Sequence, residues 1–158
     1  MKKKILTSAK QLLQPSKEAA AEFSEKREQI VAVCNRIFSS RSDIDALVGR
    51  DNLQMAKDNN HNFSRFMMAI FTDYHPDILV QTVLWVFRAY RAHGFETTYW
   101  AANLNIWMET LQAELSESAF KEISPFYNWL IIHIPIFTAL TETDGEDGAP
   151  SLSIVSPH

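Results

Sequence analysis

Residues 59–94 of the sequence read NNHNFSRFMMAIFTDYHPDILVQTVLWVFRAYRAHG. The large apolar residues in the first part of this stretch recur at i, i+3, i+4, i+7 and i+8, which is the spacing of one face of an α-helix. This face consists of Phe63, Phe66, Met67, Ile70 and Phe71. The pattern predicts a helix over 51–71 with one side turned to a core.

A second helix is predicted directly after this one. Pro76 suits the first turn of a helix, and Gly94 suits the position just after a helix ends. The residues between them are apolar almost all round, and a helix of this kind is buried on most of its sides. The segment 76–93 is therefore expected to lie at the centre of the domain.

The same periodicity extends over most of the remaining chain. It predicts further helices over 16–39, from Ser42, from about 98 to 115 and from about 118 to 140, so that the fold is all-α with about six helices. Pro125 and Pro135 are each expected to kink or break the last helix. The flanks are predicted to be a polar arm over 1–15 and a disordered acidic tail over 141–158, which leaves 16–140 as the domain.

Composition narrows the classes of function. A chain of 158 residues suits one domain, and a net charge of −4 argues against a nucleic-acid surface. No run of about 18 apolar residues occurs, so no membrane span is predicted. A single cysteine excludes an internal disulfide. The chain is expected to be cytoplasmic. Lys2–Lys4 are interpreted as a solvated end rather than a lipid contact.

The sequence offers no pattern that points to catalysis. The four glycines are too scattered to form a phosphate-binding loop, and the five histidines include no i, i+4 pair, so no metal site is predicted. Cys34 lies on the apolar face of its helix, where packing is favoured over a nucleophilic role. We therefore expect a protein that is not an enzyme.

The stretch 59–107 resembles the middle of the globin-type sensor domains of bacteria. Gly94-Phe95 matches the glycine–hydrophobic pair that follows the proximal helix in that family, and Tyr99-Trp100 matches a later aromatic pair in reversed order. Where the family carries its proximal haem histidine, four residues before the glycine, this chain has Tyr90. The resemblance implies a globin-like bundle, and this departure points to its haem-free branch.

What the resemblance implies about ligands is less specific. The haem-free branch includes domains of stressosome proteins and small fatty-acid-binding relatives of kinase sensor domains, so the expected ligand is a fatty acid or another small apolar molecule, with no cofactor. The alternative is a haem globin with His93 or Tyr90 as the iron ligand. A second alternative is a helical interaction module without a ligand, in which the aromatic residues only pack. The predicted pocket residues are His61, Phe63, Phe66, Trp85, Phe87, Tyr90, His93 and Tyr99.

Partners are predicted from the same resemblance. Sensor globins pair through their last two helices, so a homodimer through about 98–115 and 118–140 is expected, with Trp107 and Trp129 as candidate anchors because aromatic residues are enriched at interface centres. No output domain follows residue 140 in this sequence, and signalling is therefore expected to pass through a separate protein.

Overall fold

The computed structural model describes residues 1–142 of the chain, and this part forms eight helices and no strand. The all-α prediction is thus confirmed, whereas the globin-like arrangement stays a prediction. The helices are α1 (Lys2–Ala9), α2 (Lys17–Ser39), α3 (Ile44–Val48), α4 (Leu53–Thr72), α5 (Pro76–Ala92), α6 (Thr98–Glu114), α7 (Glu117–Ile132) and α8 (Ile134–Thr141).

The ends of these helices follow from local chemistry. Ser16 and Ser116 precede α2 and α7, and each hydroxyl accepts a hydrogen bond from the backbone N–H three residues later. Pro76 opens α5, where its missing N–H costs nothing. Gly49 and Gly94 follow α3 and α5 with φ of 87° and 94°, a backbone region that glycine adopts without strain.

The core is built around α2, which packs against α4, α6 and α7, while α6 also packs on α7. On another side α5 packs against α1 and α8. Eight of the 17 residues of α5 are buried and three are exposed, in line with the central position that its apolar sequence predicts. Between these helices lies one contiguous cluster of buried apolar side chains that includes ten aromatic rings of Phe, Tyr and Trp on α4–α7.

The prediction of six helices is wrong by two, and both extra helices have a physical cause. The segment 1–15, predicted as a polar arm, contains α1, because Ile5 and Ala9 are buried against the rest of the fold. A helix of eight residues is unstable alone and depends on such packing. The segment 118–140 is divided between α7 and α8, whose axes differ in direction by 47°.

The two prolines of this last segment behave differently. Pro135 stands at the start of α8, where the break predicted for it is found. Pro125 lies inside α7, and the helix continues through it, so the predicted break is absent there and at most a kink remains. Buried residues lie on both sides of Pro125, among them Ile123 and Phe126, so packing holds both halves of α7.

Within residues 1–142 no individual helix has the length and apolar composition required to cross a bilayer. The bent pair α7–α8 reaches that length and composition only when the two helices are taken together. The predicted acidic tail over 141–158 falls almost entirely outside the described residues, apart from Thr141, which ends α8, and Glu142.

Candidate ligand cavity

A cavity of about 50 Å³ lies in the core between α4, α5, α6 and α7. It exceeds the 10–15 Å³ or so that one water molecule needs, and it is smaller than the roughly 150 Å³ of an apolar cavity that admits benzene. Eight of its eleven lining residues are apolar. The lining consists of Asn59, Phe63, Phe66, Thr82, Val83, Val86, Phe87, Trp100, Asn103, Leu104 and Leu130.

The Thr82 hydroxyl is the least satisfied polar group of this lining. Thr82 is 1% exposed, and its Oγ1 has no hydrogen-bond partner among the described residues. A buried hydroxyl without a partner costs about 1–3 kcal/mol. A molecule in the cavity that offered one hydrogen-bonding atom would remove this cost, so Thr82 gives the apolar cavity a single polar point of attachment.

On its α4–α6 side the cavity is bounded by a network of buried amides. Asn60 Nδ2 donates to Asn35 Oδ1 at 2.8 Å, and Asn60 Oδ1 accepts from Asn103 Nδ2 at 2.8 Å and from Trp107 Nε1 at 3.0 Å. Asn59 Nδ2 donates to the Tyr99 hydroxyl at 2.8 Å. These groups satisfy one another without water, and they therefore fix how α4 and α6 are aligned.

Aromatic rings occupy the space beside the cavity. Phe87 stacks on Trp100 with ring centroids 4.4 Å apart, and Tyr90 meets the edge of Trp100 at 5.7 Å. Phe63 meets Trp107 and Tyr127 in edge-to-face contacts at 5.1 and 5.6 Å. Such contacts hold the rings in defined orientations. The volume left to a ligand is consequently small.

The structure brings three of the eight predicted pocket residues, Phe63, Phe66 and Phe87, to the cavity wall. Tyr90 and Tyr99 are buried next to it without lining it, and Trp85 is half-buried on α5. His61 is exposed, because it lies two residues before Phe63 and therefore about 200° away around α4.

His93 also lies outside the cavity. It is the residue that ends α5, its ring is exposed, and its carbonyl oxygen accepts a hydrogen bond from Asn52 Nδ2 at 2.7 Å. Its side chain is not part of the cavity lining.

A haem does not fit this arrangement. The cavity wall contains no histidine, tyrosine, cysteine or methionine that could bind iron, and its volume is far below that of a porphyrin. Burial, together with the charge of Asp58, raises the pKa of Tyr90, which opposes formation of a tyrosinate. No cluster of three metal-ligating side chains occurs within residues 1–142.

The two tryptophans predicted as dimer anchors lie inside the chain. Trp107 is fully buried and stacks on Tyr127. Trp129 is almost fully buried, and its Nε1 donates to Ser8 Oγ of α1 at 2.9 Å. The indole of Trp129 is covered by α1 and that of Trp107 is enclosed by α4 and α7, so neither is available to a second copy of the chain.

The pocket residues predicted from the sequence do not include the polar residues of this region, namely Thr82, Asn103 and the pair Asn59-Asn60. A signal was present for the pair, since Asn59 and Asn60 stand four and three residues before Phe63 and thus continue the apolar face of α4 toward its start. Two adjacent amides on an apolar face indicate a buried hydrogen-bond network. Nothing in the sequence distinguishes Thr82 from its apolar neighbours on α5.

Comparison with known proteins adds no relative. No protein family, no curated protein and no solved structure matches this chain with significance.

Proposed function

We propose that this chain is a non-enzymatic regulatory domain with a globin-like helical bundle, free of haem, that takes up a small apolar molecule in its core cavity. The observation that carries the proposal is the apolar cavity with the unpartnered Thr82 hydroxyl in its wall. The apolar part of the lining favours an apolar occupant. Occupancy would change the packing of Phe63 of α4 and Phe87 of α5, which both line the cavity.

The volume limits the ligand. About 50 Å³ accommodates a molecule of a few heavy atoms, such as a dissolved gas. A fatty acid requires the rings of Phe63, Phe87 and Trp100 to move apart. The ligand therefore takes one of two forms. A small molecule binds the cavity as described, whereas an acyl chain binds only after the cavity has opened.

Xenon binding tests the first form of the proposal. Methyl resonances of Val83, Val86 and Leu104 should shift in a saturable manner as xenon is added, because these methyl groups line the cavity. Val83→Ile, which fills part of the space, should weaken the response, whereas Val33→Ile on α2 should leave it unchanged. Absence of a saturable shift in the unsubstituted protein would overturn gas binding.

Dodecanoate tests the acyl-chain form. If the cavity opens, titration with dodecanoate should shift the resonances of the same methyl groups and slow their exchange between the free and bound states. A haemin titration serves as the control for the haem alternative: we expect no Soret band that depends on Tyr90 or His93. A Soret band lost in Tyr90→Phe or His93→Ala would replace the proposal with a haem globin.

The smallness of the cavity favours one second candidate, a ligand-free helical interaction module that pairs through its last helices and signals through a separate protein. Sedimentation velocity of the purified chain distinguishes the two. A dimer that forms without any response to xenon or dodecanoate supports the module, and a monomer that responds to either supports the ligand-binding domain.

A further inference from the structure

Positive charge is concentrated at the N-terminal end of the chain. Lysine occupies positions 2, 3, 4, 10 and 17, whereas none of the 19 acidic residues occurs before Glu18. The remainder of the sequence is therefore strongly acidic, although the net charge of the whole is only −4. A segregated basic segment of this kind creates a local positive potential and indicates an anionic partner.

Exposed apolar side chains occur in the same region. Among the described residues, four large hydrophobic side chains are exposed, and two of them, Met1 and Leu13, flank α1 in the chain. Met1 is 65% exposed at the start of α1, and Leu13 is 82% exposed shortly after its end. Ile132, 61% exposed, precedes His133, whose ring nitrogen lies 3.4 Å from Ser8 Oγ of α1.

The fold holds α1 in place and thereby presents these side chains. Ile5 and Ala9 are buried in the core, and the Tyr74 hydroxyl donates to the Ala9 carbonyl oxygen. Trp129 Nε1 donates to Ser8 Oγ on the α7 side. Lys3, Lys4 and Lys10 are consequently exposed on the outer side of a fixed helix.

We propose, in place of the solvated end expected from the sequence, that the surface formed by Lys3, Lys4 and Lys10 with Met1, Leu13 and Ile132 docks the protein on an anionic lipid membrane. Lysines near an anionic bilayer are attracted to its surface potential, and exposed aliphatic side chains enter the interface. Nucleic acid fits less well, because the segment has no arginine before Arg27 and its protruding aliphatic groups find no apolar partner along a phosphate backbone. The docked protein does not span the bilayer.

Vesicle flotation tests the proposal with the full chain. Binding is expected to phosphatidylcholine vesicles that contain phosphatidylserine, to weaken as salt screens the charges, and to be absent with pure phosphatidylcholine. The triple variant Lys3→Gln, Lys4→Gln, Lys10→Gln should lower the partition coefficient by roughly 100-fold, at about fivefold per lysine. Leu13→Ser alone should lower it by about tenfold at unchanged charge.

The matched control removes the same charge elsewhere, through Arg36→Gln, Arg50→Gln and Lys121→Gln, all at exposed positions. This variant should bind vesicles as well as the unsubstituted chain. Equal losses in both triple variants would overturn the proposed surface, as would equal binding to both kinds of vesicle. Duplex DNA binding that is stronger than vesicle binding and indifferent to Leu13→Ser would assign the surface to nucleic acid instead.

Discussion

Ser116 and Glu22 form one half of a reciprocal contact between the N-terminal ends of α7 and α2. The Ser116 backbone N–H and hydroxyl donate to the two carboxylate oxygens of Glu22 at 2.6 and 2.7 Å. In the other half, the Ser16 N–H and hydroxyl donate to Glu122 at 2.8 and 2.9 Å. Each serine also caps its own helix. Both segments read Ser-x-x-Ala-x-x-Glu, so one local pattern used twice joins two distant parts of the chain.

Removing one capping hydroxyl should weaken this contact. Ser116→Ala is expected to lower the free energy of unfolding by at least about 1 kcal/mol, the usual cost of a lost N-cap. Urea denaturation at neutral pH measures the change. Gln112→Ala, at an exposed position of α6 outside this contact, is the control and should change stability by less than about 0.5 kcal/mol. Equal effects of the two substitutions would contradict the capping role.

The same contact predicts a dependence of stability on pH. Hydrogen bonds from the backbone and the hydroxyl of Ser116 hold the pKa of Glu22 below its ordinary value of 4.5. Because the folded state binds this proton more weakly than the unfolded state, the stabilisation is present above pH 4.5 and is lost as pH falls through the folded pKa. Glu22→Gln should flatten the acid limb of the stability profile, whereas Glu25→Gln, on the exposed side of α2, should not. Parallel profiles for Glu22→Gln and the unsubstituted chain would refute the assignment.

The buried amide network should contribute strongly to stability. Asn60→Ala leaves Trp107 Nε1 and the Asn103 amide without their partner, and we expect a loss of about 3 kcal/mol, since each unsatisfied buried group costs about 1–3 kcal/mol. Asn105→Ala, at an exposed position of α6, is the control. If both substitutions cost less than about 1 kcal/mol in urea denaturation, the network is not holding α4 against α6.

The cavity predicts a substitution that stabilises the protein. Thr82→Val replaces the unpartnered hydroxyl by a methyl group, and it should raise the free energy of unfolding by about 1 kcal/mol in the absence of ligand. Thr110→Val is the matched control, because the Thr110 hydroxyl donates to the Ile106 carbonyl at 2.8 Å, and it should destabilise the protein by about 1 kcal/mol. A loss of stability in Thr82→Val would mean that its hydroxyl has a partner in solution.

Cys34 should report on opening of the core. The thiol is fully buried on α2, and burial raises its pKa to about 12, so little thiolate exists near neutral pH. Alkylation by iodoacetamide is expected to be slow in the native protein and to accelerate with urea in parallel with unfolding. Val33→Cys, at a half-buried position one residue earlier, provides a second thiol for comparison and should react faster. Rapid native alkylation of Cys34 would contradict the packing described.

The fold class followed from short-range patterns. The face formed by Phe63, Phe66 and Ile70 defines α4 by its spacing alone, and Pro76 with Gly94 marks the limits of α5, because local backbone preferences and one-sided apolarity act within a few residues. The same reasoning could not find α1, since its lysine-rich sequence is helical only where Ile5 and Ala9 are buried by other helices.

The site depended on tertiary structure to a greater extent. The sequence indicated Phe63, Phe66 and Phe87 as pocket residues, because large apolar side chains on central helices must face the core. Whether that core is filled or hollow depends on how rings from four helices meet, and only their packing decided that about 50 Å³ remains beside Thr82. The sequence by itself determined which faces are apolar; the tertiary structure decided which of those faces touch, because contacts between distant segments are set by the summed packing of the whole chain.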